Sequence, residues 1–264
     1  MFAYQIYCVV LGREVHEDNM DAAYNVLPSV VFLIYFAFQN KNVRNWLFVA
    51  IGCILVFLFG TRGPIIIIIL YGAIEVFINY IWMQSRRKKA SYSMLLIVGL
   101  AVLLCTDIIL EAAIWLAAKF EEIGFSTRIF DFFIEGDFTK SVGRNTIYSR
   151  IADAIADKYV FGYGIMGDRI VLQGTQQLYA HNFFTEIWCE FGVFFGSFLI
   201  MWVAYLILKA LLKPSKNRMF ILMITIMVMT KLMLSGSYLV EPYFYLLLGA
   251  CVGAVRFNQK DKRY

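Results

Sequence analysis

Most of the chain consists of long apolar stretches separated by short polar segments. An α-helix needs about 20 apolar residues to cross the hydrocarbon core of a bilayer. Seven stretches approach or exceed this length and are predicted to be membrane-spanning helices: 22–39, 46–59, 64–82, 92–113, 182–212, 219–234 and 243–257. The pattern therefore predicts an all-α fold, a polytopic bundle of about seven transmembrane helices.

One long polar segment, 119–181, interrupts this pattern. Inside it, from Ser141 or Gly143 onward, apolar residues recur at the spacing of one helix face: Ile147, Ile151, Ala154 and Ile155. A short amphipathic helix is predicted here. Such a helix either lies on the membrane surface or binds an anionic headgroup at its N-terminus.

Basic residues are concentrated in alternate connections between the predicted helices. The connections 40–45, 84–89 and 213–218 and the C-terminal tail each hold two or more, whereas GTRGP holds one and SGSYLVEP none. Connections rich in Lys and Arg lie on the cytoplasmic side of membrane proteins. The tail is therefore predicted to be cytoplasmic and the long polar loop to be extracytoplasmic.

This topology predicts three domains. They are N-terminal transmembrane helices in 1–118, a large extracytoplasmic loop in 119–181, and C-terminal transmembrane helices with a cytoplasmic tail in 182–264. The apolar segment Met1 to Leu11 is too short to cross a bilayer. We therefore expect the first helix to be incomplete and the chain to be the C-terminal part of a longer protein.

The composition supports a membrane protein and argues against other classes. Of 264 residues, 61% are hydrophobic and 16% are charged, whereas about a quarter of the residues in a soluble domain are charged. The net charge of +5 is not arranged as a basic groove with interleaved aromatic residues, so no nucleic-acid partner is expected. The five cysteines lie in apolar stretches outside the long loop, which predicts neither a disulfide framework nor a thiolate metal site there.

Arg62 is a candidate anion-binding residue at the membrane boundary, where charges are costly. It lies between Gly60 and Gly63 at the start of the third predicted helix. Glycine lets backbone N–H groups approach an anion, and a guanidinium donates two parallel hydrogen bonds to phosphate oxygens. The alternative is an arginine that only extends to the membrane interface.

A second candidate anion site is the start of the predicted loop helix. Arg144, Tyr148 and Arg150 lie in or beside its first two turns. The free N–H groups and the dipole of a helix N-terminus favour a negatively charged ligand.

His181 lies where the long loop returns to the membrane, and it is one of only two histidines. Histidine has an unperturbed pKa of about 6.5 and is the usual general base near neutral pH. A capping or interface histidine without a chemical role is the alternative. Glu186 and Glu190 follow one and two turns into the next helix and are predicted to be buried charges that need partners.

The segments that carry these residues resemble, in order, the motifs of the O-antigen polymerase and ligase superfamily. GTRGPIIIII resembles the Ser-Arg-Gly motif that opens a span of that family, and AHNFFTEIWCEFGVFFG resembles its histidine segment. Between them, GRNTIYSRIADAIADKYVFGYGIMGDR resembles the family's loop signature of an arginine, an aromatic residue, a short helix and a Gly-x-Gly turn. The resemblance extends from about Asp18 to the C-terminus.

The resemblance implies a membrane glycosyltransferase that uses neither a metal nor another cofactor. It would polymerise undecaprenyl-diphosphate-linked oligosaccharide repeat units, with inversion, into a surface polysaccharide such as capsule, O-antigen or exopolysaccharide. By position in the motifs, His181 would deprotonate the acceptor hydroxyl, and Arg62 and Arg144 would bind the diphosphate. Tyr148, Arg150 and Arg169 are neighbouring substrate-binding candidates.

The resemblance also implies the partners. They are a lipid-linked donor and acceptor, the bilayer, a flippase and a chain-length regulator. Two alternatives stay open: an O-antigen ligase that transfers the glycan to a lipid or protein, and a transporter of the lipid-linked glycan. A transporter would favour charges near the middle of the membrane and a pseudo-repeat, whereas the candidate residues lie at the outer boundary.

Overall fold

The computed structural model describes residues 19–40, 43–58, 62–82, 106–122, 144–175, 178–213 and 217–257. Their regular structure is helical, without a strand among these residues. The helices are α1 (Asn19–Asn40), α2 (Val43–Leu58), α3 (Arg62–Trp82), α4 (Thr106–Glu122), α5 (Arg144–Asp157), α6 (Gly167–Val171), α7 (Phe183–Leu212), α8 (Arg218–Leu234) and α9 (Pro242–Phe257). The chain divides into two compact units, Met1–Thr139 and Lys140–Tyr264.

Among the described residues, two helical segments are long and apolar enough to cross a membrane by length and composition, Ala22–Asn40 in α1 and Phe183–Leu212 in α7. Three further apolar helices are shorter: Arg44–Phe57, Gly63–Ile78 and Pro242–Arg256. The all-α class is confirmed for the described residues, while the count of seven spans stays a prediction. Of the predicted fourth span, 92–113, residues up to 105 lie outside the described part of the chain. The rest belongs to α4, which begins at Thr106 and continues past Ala113 to Glu122.

The first unit is built on contacts of α1 with α2 and α3. Small residues allow the helices to approach closely. A Cβ atom added to Gly52 would lie 2.7 Å from Cγ2 of Val30, and one added to Gly63 would lie 2.0 Å from the hydroxyl of Tyr24. Gly63 thus lies in close contact with Tyr24 of α1, and this contact accounts for a small residue after Arg62 without a ligand.

The second unit is built on α7, which packs against α8 and α9 and, near its start, against α5 and α6. The predicted apolar face of the loop helix is confirmed, because it packs in one core with residues of α6, α7 and the segment before α7. The buried members of this core are Ile147, Ile151, Ala154, Leu172, Ala180 and Cys189, with Ile155 partly buried against them. Burial of this face attaches α5 to the start of α7.

α7 is not one continuous helix, because Gly192 has φ 74° and ψ 166°. The turn after α5 fills the break: Tyr163 N–H donates to the carbonyl oxygen of Cys189 and Gly164 N–H to that of Glu190, each at 2.8 Å. In return, Val193 N–H donates to the carbonyl oxygen of Tyr159 at 2.7 Å. The loop thus satisfies the backbone groups that the break releases.

Candidate functional site

His181 occupies the junction between the loop and α7. It is half-buried, and its φ of 54° places it in the left-handed region. This conformation costs a residue with a side chain about 1–2 kcal/mol, so the neighbouring contacts must hold it. On the C-terminal side, the Asn182 side chain caps α7 by accepting hydrogen bonds from Phe184 N–H at 3.0 Å and Thr185 N–H at 3.4 Å.

Two contacts hold the chain on the N-terminal side of His181. The Ala180 N–H donates to Oδ2 of Asp168 at 2.9 Å, and the Tyr179 hydroxyl donates to the carbonyl oxygen of Ser235 at 3.0 Å. The ring of Tyr179 also lies 4.3 Å from the imidazole, centroid to centroid. His181 is therefore attached to α6 and to the connection between α8 and α9.

Three buried carboxylates belong to α6 and to the first two turns of α7: those of Asp168, Glu186 and Glu190. One oxygen from each lies within 4.8 Å of the others. Acidic groups this close and this buried need hydrogen bonds to offset their repulsion and the loss of water. The predicted burial of the two glutamates is confirmed.

Every oxygen of these carboxylates accepts a hydrogen bond from the protein. Asp168 binds the N–H groups of Arg169 at 2.8 Å and of Ala180. Glu186 accepts from the hydroxyl of Ser237 and from Tyr238 N–H at 3.2 Å, and Glu190 accepts from Met166 N–H at 2.7 Å and from the hydroxyl of Tyr238. The three side chains offer the donor set of a metal site, and each of their oxygens already accepts one hydrogen bond from the protein.

Arg169 supplies positive charge beside this cluster. One of its terminal nitrogens, Nη2, lies 3.4 Å from Oγ of Ser237, and its guanidinium lowers the energy of the charged form of Asp168. Burial is nevertheless the larger effect and raises the pKa of Asp168 above its ordinary value. Arg169 is thus part of a buried polar network.

The other predicted site residues divide between the two units. Tyr148 is half-buried and Arg150 is exposed, both on α5, and α5 shares a buried core with Ala180, which precedes His181. Arg144 is the first residue of α5 and Arg62 the first residue of α3, while the side chains of these two arginines lie outside the described part of the structure. The structure therefore brings α5, Arg169 and His181 together in the second unit.

Three residues of the site were missed in the sequence: Asp168, Ser237 and Tyr238. The connection SGSYLVEP was interpreted only as a turn between two helices, although it lies against the start of α7. The two unpaired glutamates of α7 were the available signal, because buried carboxylates require donors from elsewhere in the chain. The sequence alone did not indicate which segment supplies those donors.

These features define a helical membrane protein with a polar site at the start of an apolar helix. A family model described as O-antigen ligase matches residues 46–200, more than half of the chain, and the chain belongs to this family. No curated protein and no solved structure matches the chain. The predicted resemblance is therefore confirmed, and the matched region includes Arg62, Arg144 and His181.

Membership of the family establishes the activity at a coarse level. Its members are glycosyltransferase-like enzymes, ligases or polymerases, that act on lipid-linked glycans in a membrane. The protein is accordingly a membrane enzyme of the O-antigen ligase and polymerase type.

Proposed function

We propose that the protein polymerises undecaprenyl-diphosphate-linked oligosaccharide repeat units into a bacterial surface polysaccharide. The observation that carries this proposal is that α5, which bears Tyr148 and Arg150, shares one buried core with Ala180, the residue before His181. A helix suited to bind an anion and a candidate general base are thereby attached to one another. Glycosyl transfer from a lipid diphosphate needs both groups.

His181 is assigned as the general base. Its imidazole takes the proton of an acceptor hydroxyl while the hydroxyl oxygen attacks the anomeric carbon of the donor glycan. The bond from that carbon to the diphosphate oxygen breaks as the new bond forms, and the configuration at the carbon is inverted. The diphosphate leaves with the bonding electrons, and guanidinium groups neutralise its charge.

By their position in the family motifs, Arg62 and Arg144 are assigned to the diphosphate, and Arg150 and Tyr148 of α5 are further candidates. Arg150 is exposed on α5, so a ligand can approach its guanidinium from solvent. Arg169 is the weaker choice, because it already compensates buried carboxylates and contacts Ser237. Its role in the proposal is to stabilise the site.

The same proposal places the site on the extracytoplasmic face, within the loop 119–181 between two groups of transmembrane helices, 1–118 and 182–264. The start of α7 contacts the connection between α8 and α9, which contains no Lys or Arg. At the other end of α7, Lys213 Nζ donates to the carbonyl oxygen of Val255 at 3.3 Å, beside Arg256. Basic residues thus gather at the end of α7 opposite His181, as expected for a cytoplasmic end.

A ligase is the second candidate function, favoured by the description of the matching family. A ligase uses the same donor and the same base but transfers the glycan to a different acceptor, a lipid or a protein. The two functions therefore differ in the acceptor that supports turnover, and the donor alone supports only polymerisation.

The test uses membranes that contain the protein and a lipid-diphosphate-linked repeat unit, with the products separated on a gel. A ladder that is formed by the parent protein and lost in His181→Ala is expected. A ladder that persists in His181→Ala would remove the histidine from the mechanism. Product formed only after addition of a lipid or protein acceptor would identify a ligase, and movement of the glycan across the membrane without transfer would identify a transporter.

A further inference from the structure

The left-handed backbone of His181 requires a group that holds it, and the carboxylate of Asp168 is in position to do so. Ala180 is fully buried, and its N–H, one residue before the histidine, donates to Oδ2 of Asp168. Asp168 is itself fully buried. Because water cannot replace the acceptor at such a position, loss of this carboxylate would leave the Ala180 N–H unsatisfied.

Asp168 is held in turn by the segment that fills the break in α7. Gly167 N–H donates to the carbonyl oxygen of Gly164 at 2.8 Å, and Gly164 N–H donates to the backbone carbonyl oxygen of Glu190 in α7. A Cβ atom at Gly167 would lie 2.5 Å from Cβ of Tyr163, so α6 starts in close contact with the turn. The carboxylate therefore has a fixed position relative to α7.

We infer that Asp168 is a positioning residue for His181, acting through the Ala180 N–H on the backbone that carries the imidazole. The inference rests on the proposed function, because it gives His181 the role of general base. As a positioning residue, Asp168 would touch neither the substrate nor the reacting atoms. A misplacement of about 1 Å in a reacting group can lower a rate by about 100-fold, so the contact has kinetic consequences.

The expected effect is on turnover and not on donor binding. Asp168→Ala removes both acceptor oxygens, and we expect kcat to fall by about 10- to 100-fold while the KM for the donor stays within about twofold, since the proposed diphosphate ligands lie elsewhere. Asp168→Asn keeps one side-chain oxygen for the Ala180 N–H and is expected to recover part of the lost kcat. Asp153→Asn is the matched control, an exposed carboxylate on α5 outside the proposed machinery.

Amide hydrogen exchange of the segment 178–182 provides a readout that does not depend on activity. It is measured on the parent protein, Asp153→Asn, Asp168→Asn and Asp168→Ala in the same membranes. Faster exchange is expected in Asp168→Ala and, to a smaller extent, in Asp168→Asn. Exchange unchanged in both Asp168 variants, unchanged kcat in both, or a raised KM with an unchanged kcat would overturn the inference. If Asp168→Ala does not insert, Asp168→Asn decides the question by the same criteria.

The two proposals fail in different ways. A fully active His181→Ala variant would refute the role of the histidine, whereas the exchange measurement would still show whether Asp168 holds its backbone. An inactive His181→Ala variant beside fully active Asp168 variants would refute the positioning role alone.

Discussion

At the scale of single residues, His181 could be selected from the sequence as a candidate base, but its backbone conformation could not be predicted. The histidine was recognisable because it is the only one in the long loop and lies where that loop meets an apolar helix. The contacts beside its positive φ come from Asp168, which accepts a hydrogen bond from Ala180 N–H, and from the carbonyl oxygen of Ser235, which accepts one from the Tyr179 hydroxyl. Contacts between residues so far apart in the chain leave no local pattern.

The arginines of the loop allow a prediction at this scale. Arg150→Ala is expected to raise the KM for the donor by roughly 10- to 100-fold, the loss of one hydrogen bond to a charged group. Its stability is expected to change by no more than about 0.5 kcal/mol, because the side chain is exposed. Arg169→Ala is expected to lower the stability by about 1–3 kcal/mol, because Ser237 and the buried carboxylates lose a partner.

The measurements are initial rates against donor concentration and the midpoint of thermal unfolding in detergent. Asp153→Asn is again a suitable control for a change of charge on the exposed surface of α5. A stable Arg169→Ala variant with a raised KM, together with an unaffected Arg150→Ala variant, would reverse the two assignments.

At the scale of helices, apolar periodicity was sufficient to predict α5 but did not predict the break in α7. Ile147, Ile151 and Ala154 recur at the period of a helix and are buried as predicted. Gly192, in contrast, lies inside an apolar run that was predicted as one span, and a glycine within a helix is common enough to give no warning. The break is stabilised by N–H groups of a separate segment, which a pattern along α7 does not contain.

The glycines at this break give a prediction for the element. Gly192→Ala and Gly162→Ala each combine a positive φ with a steric clash, since the new Cβ would lie 2.3 Å from the carbonyl oxygen of Val160 or 2.5 Å from that of Glu190. Each is expected to destabilise the protein by at least about 2 kcal/mol and to abolish the polymer ladder. Thermal unfolding in detergent and the gel assay measure the two effects.

Gly249→Ala is the matched control for these two variants. Gly249 lies within α9, and a Cβ atom there meets nothing within 4 Å. Alanine in a helix interior is favoured over glycine by about 0.5–1 kcal/mol, so this variant should be at least as stable as the parent. Stability and activity equal to the parent in Gly192→Ala would show that the loop does not require the break.

At the scale of the whole molecule, the all-α class and the family followed from the sequence, and the membership is confirmed by the match over residues 46–200. The predicted orientation in the membrane rests on the distribution of basic residues, which governs how the chain inserts. Helix packing does not report on this orientation. Packing within the second unit adds one constraint. Because the loop and the connection between α8 and α9 meet at the start of α7, both must lie on the same side of the membrane.

This constraint leads to a prediction about the topology. Leu178 is 76% exposed in the loop before α7, and Asn217 is exposed in the connection that follows it. With an impermeant thiol reagent, Leu178→Cys is expected to be labelled in intact cells, whereas Asn217→Cys should be labelled only after permeabilisation. The parent protein is the control for the native cysteines, of which Cys189 and Cys251 are buried and Cys53 is half-buried. The reverse result would place the site in the cytoplasm, where an extracytoplasmic polymerase cannot work, and labelling of both positions in intact cells would mean that α7 does not cross the membrane.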